Sequence, residues 1–458
     1  MKERMEHDSM GEIAVEADKY WGAQTERSRR NFEIGKGQEK MPCEIVKAIA
    51  LIKEAAALAN RELIPEKMTE EKCNAIVGAA EEIRKGDLSE HFPLVVFQTG
   101  SGTQTNMNVN EVIANFANEK AGKKLLHPND DVNRSQSSND VFPSAIRIAG
   151  AEKIVSCLFP ALESMIAEFA RLEEENAGVV KCARTHLQDA APIAFSQEIS
   201  GWRASVEKDR KLILTTLPDL SELPLGGTAV GTGLNAPTGF DTLVAEKVSD
   251  LSGLPFTTAK NKFHGLTSLD EVVFTHSAIK ALAADLWKIA NDVRLLASGP
   301  RTGLGEISIP ENEPGSSIMP GKVNPTQCEA MTMVAAQIMG NDMTISLAAS
   351  QGNFELNVFL PVVAYNFLQS IRLLSEAIGS FTKNCLSGLI ANREKMKENL
   401  DRTLMTVTAL TPLIGYEKAA KIAKTAKEKD LTLKEATLEL GYLTEEEFDK
   451  NFHPEEMV

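Results

Sequence analysis

The sequence predicts a mainly α protein with a central bundle of long helices between two smaller parts. Residues 269–297 contain neither Gly nor Pro, and apolar side chains recur there at the heptad spacing of helices that pack lengthwise. Aromatic residues make up only 5% of the chain, so the core must be built from aliphatic side chains and Met, which suits helix-on-helix packing. Strand patterns are sparse. A length of 458 residues exceeds one ordinary core and predicts two or three domains.

The elements divide the chain into three predicted domains. Residues 1–136 mix short helical patterns with polar loops and form a mostly helical N-terminal domain. Residues 137–393 carry the long helical patterns and form the central long-helix bundle domain, in which we expect Pro160 to kink a helix. Residues 394–458 are rich in Lys and Glu and form a small C-terminal helical domain. The seam of the longest helix contains Val272, Ile279, Leu282, Leu286, Ile289, Val293 and Leu296.

The composition excludes several classes of partner. A net charge of −15 argues against nucleic acid or an anionic membrane as the main partner. No apolar run approaches the roughly 18 residues of a membrane helix, and the charged N-terminal segment has no secretory pattern. Six scattered cysteines without a C-x-x-C pair indicate reduced thiols in a cytoplasmic protein rather than a zinc site or a disulfide framework.

The most informative segment is residues 315–325, which has two glycines, two prolines and two adjacent serines together with Lys322 and Asn324. Gly and Pro exclude it from a helix or strand interior. We expect a shaped loop that ends at a helix, with Asn324 as the N-cap and Pro325 as the first helical residue. Free backbone N–H groups, hydroxyls and a cation then converge, which suits an anion. A surface loop with an ordinary cap is the plainer interpretation.

Four other polar segments have a similar character and lie near the ends of predicted helices. Each alone could be a capping turn, and a single histidine is usually a structural hydrogen bonder. Together with Lys322 and Glu329, these segments contain the types of side chain that bind a small polycarboxylate and transfer a proton. The segments are residues 100–106, 137–140, 185–189 and 224–233.

These residues resemble the class II fumarase family of the fumarase/aspartase lyase superfamily. The resemblance covers nearly the whole chain and implies the three-domain fumarase/aspartase-like fold. Gly321 before the loop lysine, and His186 where aspartases carry Gln, favour a fumarase over aspartate ammonia-lyase, because an imidazole can carry a proton and an amide cannot. A catalytically silent structural homologue is a further alternative. The matching segments are residues 100–110, 127–133, 135–142, 185–190, 226–235 and 310–330.

The resemblance implies reversible hydration of fumarate to L-malate, a step of the citric acid cycle, through an aci-carboxylate carbanion and without cofactor or metal. Ser316 is the implied base at C3. His186, paired with Glu329, is the implied proton carrier on the oxygen side, and Lys322 stabilises the negative charge. An alternative makes His186 the C3 base through a water. The implied substrate-binding residues are Ser101, Gly102, Thr103, Ser137, Ser138, Asn139, Thr185, Ser317, Lys322, Val323 and Asn324.

The resemblance also implies an assembly and a second anion site. Family members are homotetramers in which three chains contribute to each active site, so the expected partners are a small dicarboxylate and copies of the same chain. The second site has Lys124 where the family usually has Arg, which keeps the charge but loses the bidentate fork. A rigid turn is the alternative for this segment. The implied residues are Lys124, His127, Pro128, Asn129 and Asp130.

Overall fold

The computed structural model describes residues 2–458, and these residues form a mainly α fold, as predicted. Of the helices in this part of the chain, none combines the length and the apolar character that a membrane-spanning helix needs. The α-helices are α1 (Ala23–Asn31), α2 (Cys43–Leu63), α3 (Glu70–Lys85), α4 (Thr103–Ala121), α5 (Ser138–Lys153), α6 (Phe159–Glu175), α7 (Phe195–Leu220), α8 (Phe240–Ser252), α9 (Lys262–Thr267), α10 (Asp270–Leu296), α11 (Thr326–Ala349), α12 (Leu360–Asn384), α13 (Arg393–Arg402), α14 (Thr411–Ile414), α15 (Tyr416–Lys429), α16 (Leu433–Glu439) and α17 (Glu445–Asn451).

The strands within residues 2–458 are short and pair two by two. Three pairs are antiparallel and the third pair along the chain is parallel. In the first hairpin Glu3 lies opposite Glu16, and in the second Thr185 lies opposite Gln188. The pairs are β1 (Glu3–Asp8) with β2 (Gly11–Glu16), β3 (Val180–Thr185) with β4 (Gln188–Ala194), β5 (Glu222–Leu223) with β6 (Thr257–Thr258), and β7 (Ile307–Ser308) with β8 (Ile390–Ala391).

The longest helix confirms the heptad interpretation. It spans Asp270–Leu296, one residue shorter at each end than predicted. Asp270 and Glu271 lie in its first turn and Arg294 in its last, which complements the helix dipole. Every seam side chain is at most 5% exposed, so the apolar stripe is the buried face of the helix.

The region around Pro160 departs from the expected kink within an α-helix. A π-helical turn, Ile154–Leu158, separates α5 from α6, and α6 begins at Phe159. Pro160 is the second residue of α6 and directly follows this π-helical turn, in which the Phe159 N–H donates to the Ile154 carbonyl. The irregularity is in the residues before the proline, and a π-helical turn is itself a recognised cause of helix bending.

The chain divides into two compact units. The first contains the residues up to Pro160, Asp209–Ala283 and Ala335–Ser375, and in it α2 packs against α3, α4, α5 and α8. The second contains Ala161–Lys208, Ala284–Val334 and Glu376–Val458. The three-domain division at residues 136 and 393 stays a prediction. The C-terminal helices of the second unit share one apolar cluster, which contains Val407, Leu410, Ala419, Ile422, Ala426, Leu433, Ala436 and Phe448.

Candidate active site

A cavity of about 390 Å³ in the first unit gathers polar loops that are far apart in the sequence. Five predicted site residues line it: Thr103, Asn129, Ser137, Ser138 and Asn139. Hydroxyl and amide groups at one cavity wall are suitable donors for a carboxylate. Other residues that line the cavity, and that the sequence did not single out, are Gln24, Asn133, Gln136, Thr228 and Asn235.

The start of α4 explains why residues 100–106 are rich in Gly. Gly102 precedes the helix with φ +71°, and a Cβ at this position would lie 2.1 Å from the ring of Phe142. Only glycine satisfies both conditions. Ser101 and Gly102 are buried beside Thr103, and the hydroxyls of Ser101 and Thr103 are 2.8 Å apart. The N-terminus of a long helix, with its unpaired N–H groups, thus borders the cavity.

The Ser137–Asp140 segment is both a helix cap and a cavity wall. Ser137 is the N-cap of α5, and its N–H donates to Asp140 Oδ1 at 2.8 Å in a capping box. Ser138 Oγ accepts from Asn106 Nδ2 at 3.0 Å. Asn139 Nδ2 donates to the Ala229 carbonyl at 2.8 Å. The capping interpretation and the binding interpretation are therefore compatible, because the capped turn positions the side chains at the cavity.

Asp140 connects this cap to the glycine-rich loop. Its second oxygen accepts the N–H groups of Gly226 and Thr228, each at 2.9 Å. Complete burial raises the pKa of this carboxyl to about 6, against the lowering effect of its backbone donors. One buried carboxylate therefore fixes two loops at the wall of the cavity.

Thr228 is the most unusual of the residues that the sequence did not single out. Its φ is +55°, which is an outlier for a β-branched residue. Its Oγ1 is buried and, among residues 2–458, has no hydrogen-bond partner. Strain and an unused polar atom at a cavity wall point to ligand binding. Residues 224–233 were one of the predicted polar segments, but the sequence did not distinguish Thr228 from the other residues of this segment.

The loop of residues 315–325 lies in the second unit and is organised around Ser316. Ser316 Oγ accepts the N–H groups of Ile318 at 3.2 Å and Met319 at 3.0 Å. The loop is closed by a hydrogen bond of 2.8 Å from the Gly315 N–H to the Lys322 carbonyl. The two backbone donors would stabilise negative charge on the Ser316 oxygen.

The predicted role of Asn324 as the N-cap of α11 is wrong. The helix begins at Thr326, and the Pro325 carbonyl accepts from the Glu329 N–H at 3.2 Å. Asn324 Nδ2 instead donates to the Gly315 carbonyl at 2.8 Å, because the loop folds back on itself. Ser317, Lys322, Val323 and Glu329 are exposed, so they are available to contact a ligand or another chain.

His186 lies at the tip of the β3–β4 hairpin rather than in an irregular loop. His186 and Leu187 form a two-residue turn in which both have positive φ, +56° and +59°. Such turns match the twist of antiparallel strands but favour Asn and Gly. Thr185 precedes the turn as the last residue of β3, and both Thr185 and His186 are exposed.

The predicted site residues thus form separate groups in the single chain. The cavity of the first unit unites Thr103 with Ser137, Ser138 and Asn139. The hairpin tip and the Ser316 loop belong to the second unit. Among residues 2–458, no hydrogen bond or ion pair joins His186 to Glu329, so the pairing of these two residues stays a prediction.

The segment predicted as a second anion site forms a π-helical turn, Pro128–Val132. His127 Nδ1 accepts the N–H groups of Asn129 at 3.3 Å and Asp130 at 3.2 Å. The His127 N–H donates to Asp131 Oδ2 at 2.8 Å. These bonds describe a rigid turn, which was the alternative interpretation. Asn129 also lines the cavity, whereas Lys124 is exposed, and anion binding here stays a prediction.

Comparisons with known proteins agree with the resemblance. Residues 11–340 match the family described as "Lyase", and residues 407–458 match "Fumarase C C-terminus". The chain is 59% identical over 462 residues to the class II fumarate hydratase of Bacillus anthracis and 57% identical over 463 residues to that of Helicobacter pylori, covering 100% of this chain and 99% of each relative. The crystal structure of recombinant class II fumarase from Schistosoma mansoni superposes with a TM-score of 0.97 at 42% identity, covering 100% of this chain and 99% of that one.

Proposed function

The chain belongs to the class II fumarate hydratase family, and from this premise we propose that it catalyses the reversible hydration of fumarate to L-malate. The observation that carries the proposal is the cavity in which Thr103, Ser137, Ser138 and Asn139 meet. Its hydroxyl and amide donors suit a carboxylate of a small dicarboxylate. The ammonia-lyase alternative is not favoured, because the full-length relatives are fumarate hydratases.

The chemistry begins, in the malate direction, with loss of a proton from C3. Ser316 takes this proton in our proposal, and the electron pair of the C–H bond moves into the adjacent carboxylate to give an aci-carboxylate. The N–H groups that bind the Ser316 oxygen support this role, since they favour its alkoxide form. Lys322 supplies a positive charge for the doubly charged carboxylate. The alternative, in which His186 removes the proton through a water, uses the same residues.

The second step expels the hydroxyl group and forms the C=C bond of fumarate. His186 donates the proton that converts the leaving hydroxyl into water, and Glu329 stabilises the charged imidazole. Hydration of fumarate is the reverse sequence. His186 is exposed at the tip of a hairpin, so it can reach a substrate held by other parts of the protein.

The complete site forms in a homotetramer, with three chains contributing to each site. Helix α11 supports this part of the proposal because large apolar side chains lie on its exposed face. Met333, Met343 and Leu347 are 67%, 63% and 59% exposed in the single chain, and a group of exposed large apolar side chains marks an interaction surface. Copies of the chain would cover this face. The six free thiols fit a cytoplasmic location.

The direct test is to add fumarate to the purified protein and follow the loss of its ultraviolet absorbance, with and without ammonium. We expect consumption without ammonium and L-malate as the product. Ser316→Ala should lower kcat by roughly 10²–10⁴ or more while circular dichroism stays unchanged. Turnover that requires ammonium, or an inactive protein that is folded and tetrameric, would contradict the proposal.

A further inference from the structure

A buried cation lies one layer behind the cavity. Lys53, in the middle of α2, is 0% exposed. Its ammonium donates to Asn133 Oδ1 at 3.0 Å and to Gln136 Oε1 at 2.9 Å. Buried lysines are normally paired with a carboxylate, but both of these acceptors are neutral amides. Asn133 and Gln136 also line the cavity, so the ammonium is separated from it by one side chain.

A chain of hydrogen bonds connects Lys53 to the cavity wall. Asn133 Oδ1 accepts not only from Lys53 but also from Asn106 Nδ2 at 3.1 Å and Asn110 Nδ2 at 3.2 Å. Asn106 Nδ2 is also within hydrogen-bonding distance, 3.0 Å, of Ser138 Oγ. Because its Oδ1 accepts from three donors, the Asn133 side chain is held in one orientation. The position of Ser138 at the cavity therefore depends on a network in which Lys53 is the charged member.

The charges around Lys53 leave its ammonium without a direct counter-ion. Asp140 of α5 is the carboxylate whose charge acts on it, but the Asp140 oxygens already accept three backbone N–H groups. Several charged groups on α2 and on the helices packed against it have partners of their own. These pairs are Lys72 with Asp131 at 2.7 Å, Arg84 with Glu54 at 2.6 Å, Lys247 with Glu62 at 2.6 Å, and Glu111 with the N–H groups of Gly22 and Gln24 at 2.8 Å.

We propose that Lys53 is a positioning residue for dicarboxylate binding, which fixes Asn133 and Gln136 and supplies positive charge behind the cavity. The inference rests on the proposed function, since the cavity must hold a carboxylate of the substrate. A bound carboxylate would supply the negative charge that the buried ammonium lacks. Burial lowers the pKa of Lys53 to about 7 in the unliganded protein, and a bound anion would raise it.

Kinetics of Lys53→Met separate positioning from a merely structural role. We expect KM for malate and the inhibition constant of succinate, an unreactive dicarboxylate, to rise about tenfold or more, the scale of a hydrogen bond from a charged donor. The value of kcat should change less than about threefold, because uniform binding is lost rather than transition-state binding. Lys47→Met is the matched control on the same helix, since Lys47 lies outside the network and should leave both constants unchanged.

Proton uptake provides a readout that needs no Lys53 variant. Calorimetry of succinate binding at pH 8, in two buffers of different ionisation enthalpy, should show uptake of roughly 0.4 proton per site if binding raises the pKa of Lys53 by about one unit. Uptake should persist in His186→Asn, which removes the imidazole as its source. Because this measurement leaves Lys53 in place, it decides the inference even if Lys53→Met does not fold.

The outcomes distinguish the two proposals. A wild-type protein that does not hydrate fumarate would overturn the proposed function. An active wild type that binds succinate without proton uptake, or a folded Lys53→Met with unchanged KM and inhibition constant, would overturn only the role of Lys53. A parallel loss in kcat with no change in KM would also contradict it.

Discussion

The carboxylate of Asp140 accepts the backbone N–H of Thr228 at 2.9 Å, and this bond holds Thr228 in a left-handed conformation at the wall of the cavity. The same oxygen accepts the N–H of Gly226, and the other oxygen accepts that of Ser137. Because a β-branched residue avoids positive φ, the loop geometry depends on the buried carboxylate. The positions of the cavity-wall residues are thus fixed by Asp140, which both caps α5 and binds the strained loop at Thr228.

Asp140→Asn should destabilise the protein by about 2–4 kcal/mol, because an amide NH₂ would face buried backbone N–H groups that have lost their acceptor. Denaturant unfolding measures this loss, and KM for malate should rise as the loops shift. Asp250→Asn, on the exposed surface of α8, is the control and should change stability by less than about 0.5 kcal/mol. Equal stability of the two variants would contradict the role of Asp140 in fixing the two loops.

Thr228→Gly should weaken substrate binding without lowering the stability of the protein. Glycine adopts positive φ without strain, so we expect a stability equal to or up to about 1–2 kcal/mol above that of the wild type. Loss of the unpaired Oγ1 should raise KM about tenfold, if that atom donates to the substrate. Thr228→Ser keeps the hydroxyl and should keep KM within about threefold of the wild type. If Thr228→Gly binds substrate normally, the hydroxyl is not a ligand.

Stability should depend on pH through Lys53 and Asp140 in opposite directions. The pKa of Lys53 is lowered from 10.5 to about 7, so above pH 7 the unfolded chain binds more protons and stability rises with pH, by up to ~1.4 kcal/mol per unit. The pKa of Asp140 is raised from 3.8 to about 6. Below pH 6 the folded chain binds more protons, so stability falls as pH increases towards 6. The pair contributes least to stability between pH 6 and pH 7.

Unfolding measured from pH 5 to pH 9 tests this dependence. In Lys53→Met the part of the rise above pH 7 that Lys53 causes should vanish, whereas Lys47→Met should retain it. Parallel pH profiles for Lys53→Met and the wild type would show that Lys53 does not titrate in this range.

Gly315→Ala should inactivate the enzyme without unfolding it. A Cβ at Gly315 would lie 2.8 Å from the backbone N of Asn324 and from the Lys322 carbonyl oxygen, so the loop must open and Ser316 must move. We expect kcat to fall about 10²-fold, the scale of a misplaced catalytic group. Gly78→Ala, in an open helical position of α3, should be neutral or stabilise by about 0.5–1 kcal/mol. A normal kcat in Gly315→Ala would show that catalysis does not depend on the conformation of this loop.

His186→Asn should lower kcat by roughly 10²–10⁴ while the hairpin stays intact. Asn tolerates positive φ, so this substitution removes the proposed proton carrier without adding strain to the turn. Leu187→Gly, at the neighbouring position, should stabilise the hairpin and serves as the control for effects of turn geometry on activity. Thermal unfolding and kcat are measured for both variants. Retained activity in His186→Asn would make His186 structural.

The sequence predicted those parts of the fold that a local pattern determines. Helix α10 was placed to within one residue at each end, because its seven-residue repeat continues for its whole length. The β3–β4 hairpin was missed because its turn has neither Asn nor Gly, which are the usual signals for a two-residue turn. The π-helical turn before Pro160 was also missed, since no composition rule distinguishes it from a kink.

The site was predictable only where residues share a polar loop. Ser137, Ser138 and Asn139 were recognised as a group and line one cavity. Thr228 lies in the predicted polar segment of residues 224–233, whereas Gln24 reaches the same cavity from α1, and proximity of this kind arises from tertiary packing. Lys53 and the adjacent Glu54 interrupt an otherwise apolar stretch of α2, and only the complete burial of Lys53 next to neutral amides shows that it is unusual.

The positive φ angles of His186 and Leu187 also bear on how this chain could change over evolutionary time. Folding alone would favour Asn and Gly at these two positions, so mutations to such residues are favourable for stability, and in our proposal only the change at His186 costs activity. A lineage that used the same scaffold for a non-catalytic purpose would be free to relax this turn. In this chain the less favourable pair occupies the turn, so the hairpin is less stable than its fold would allow.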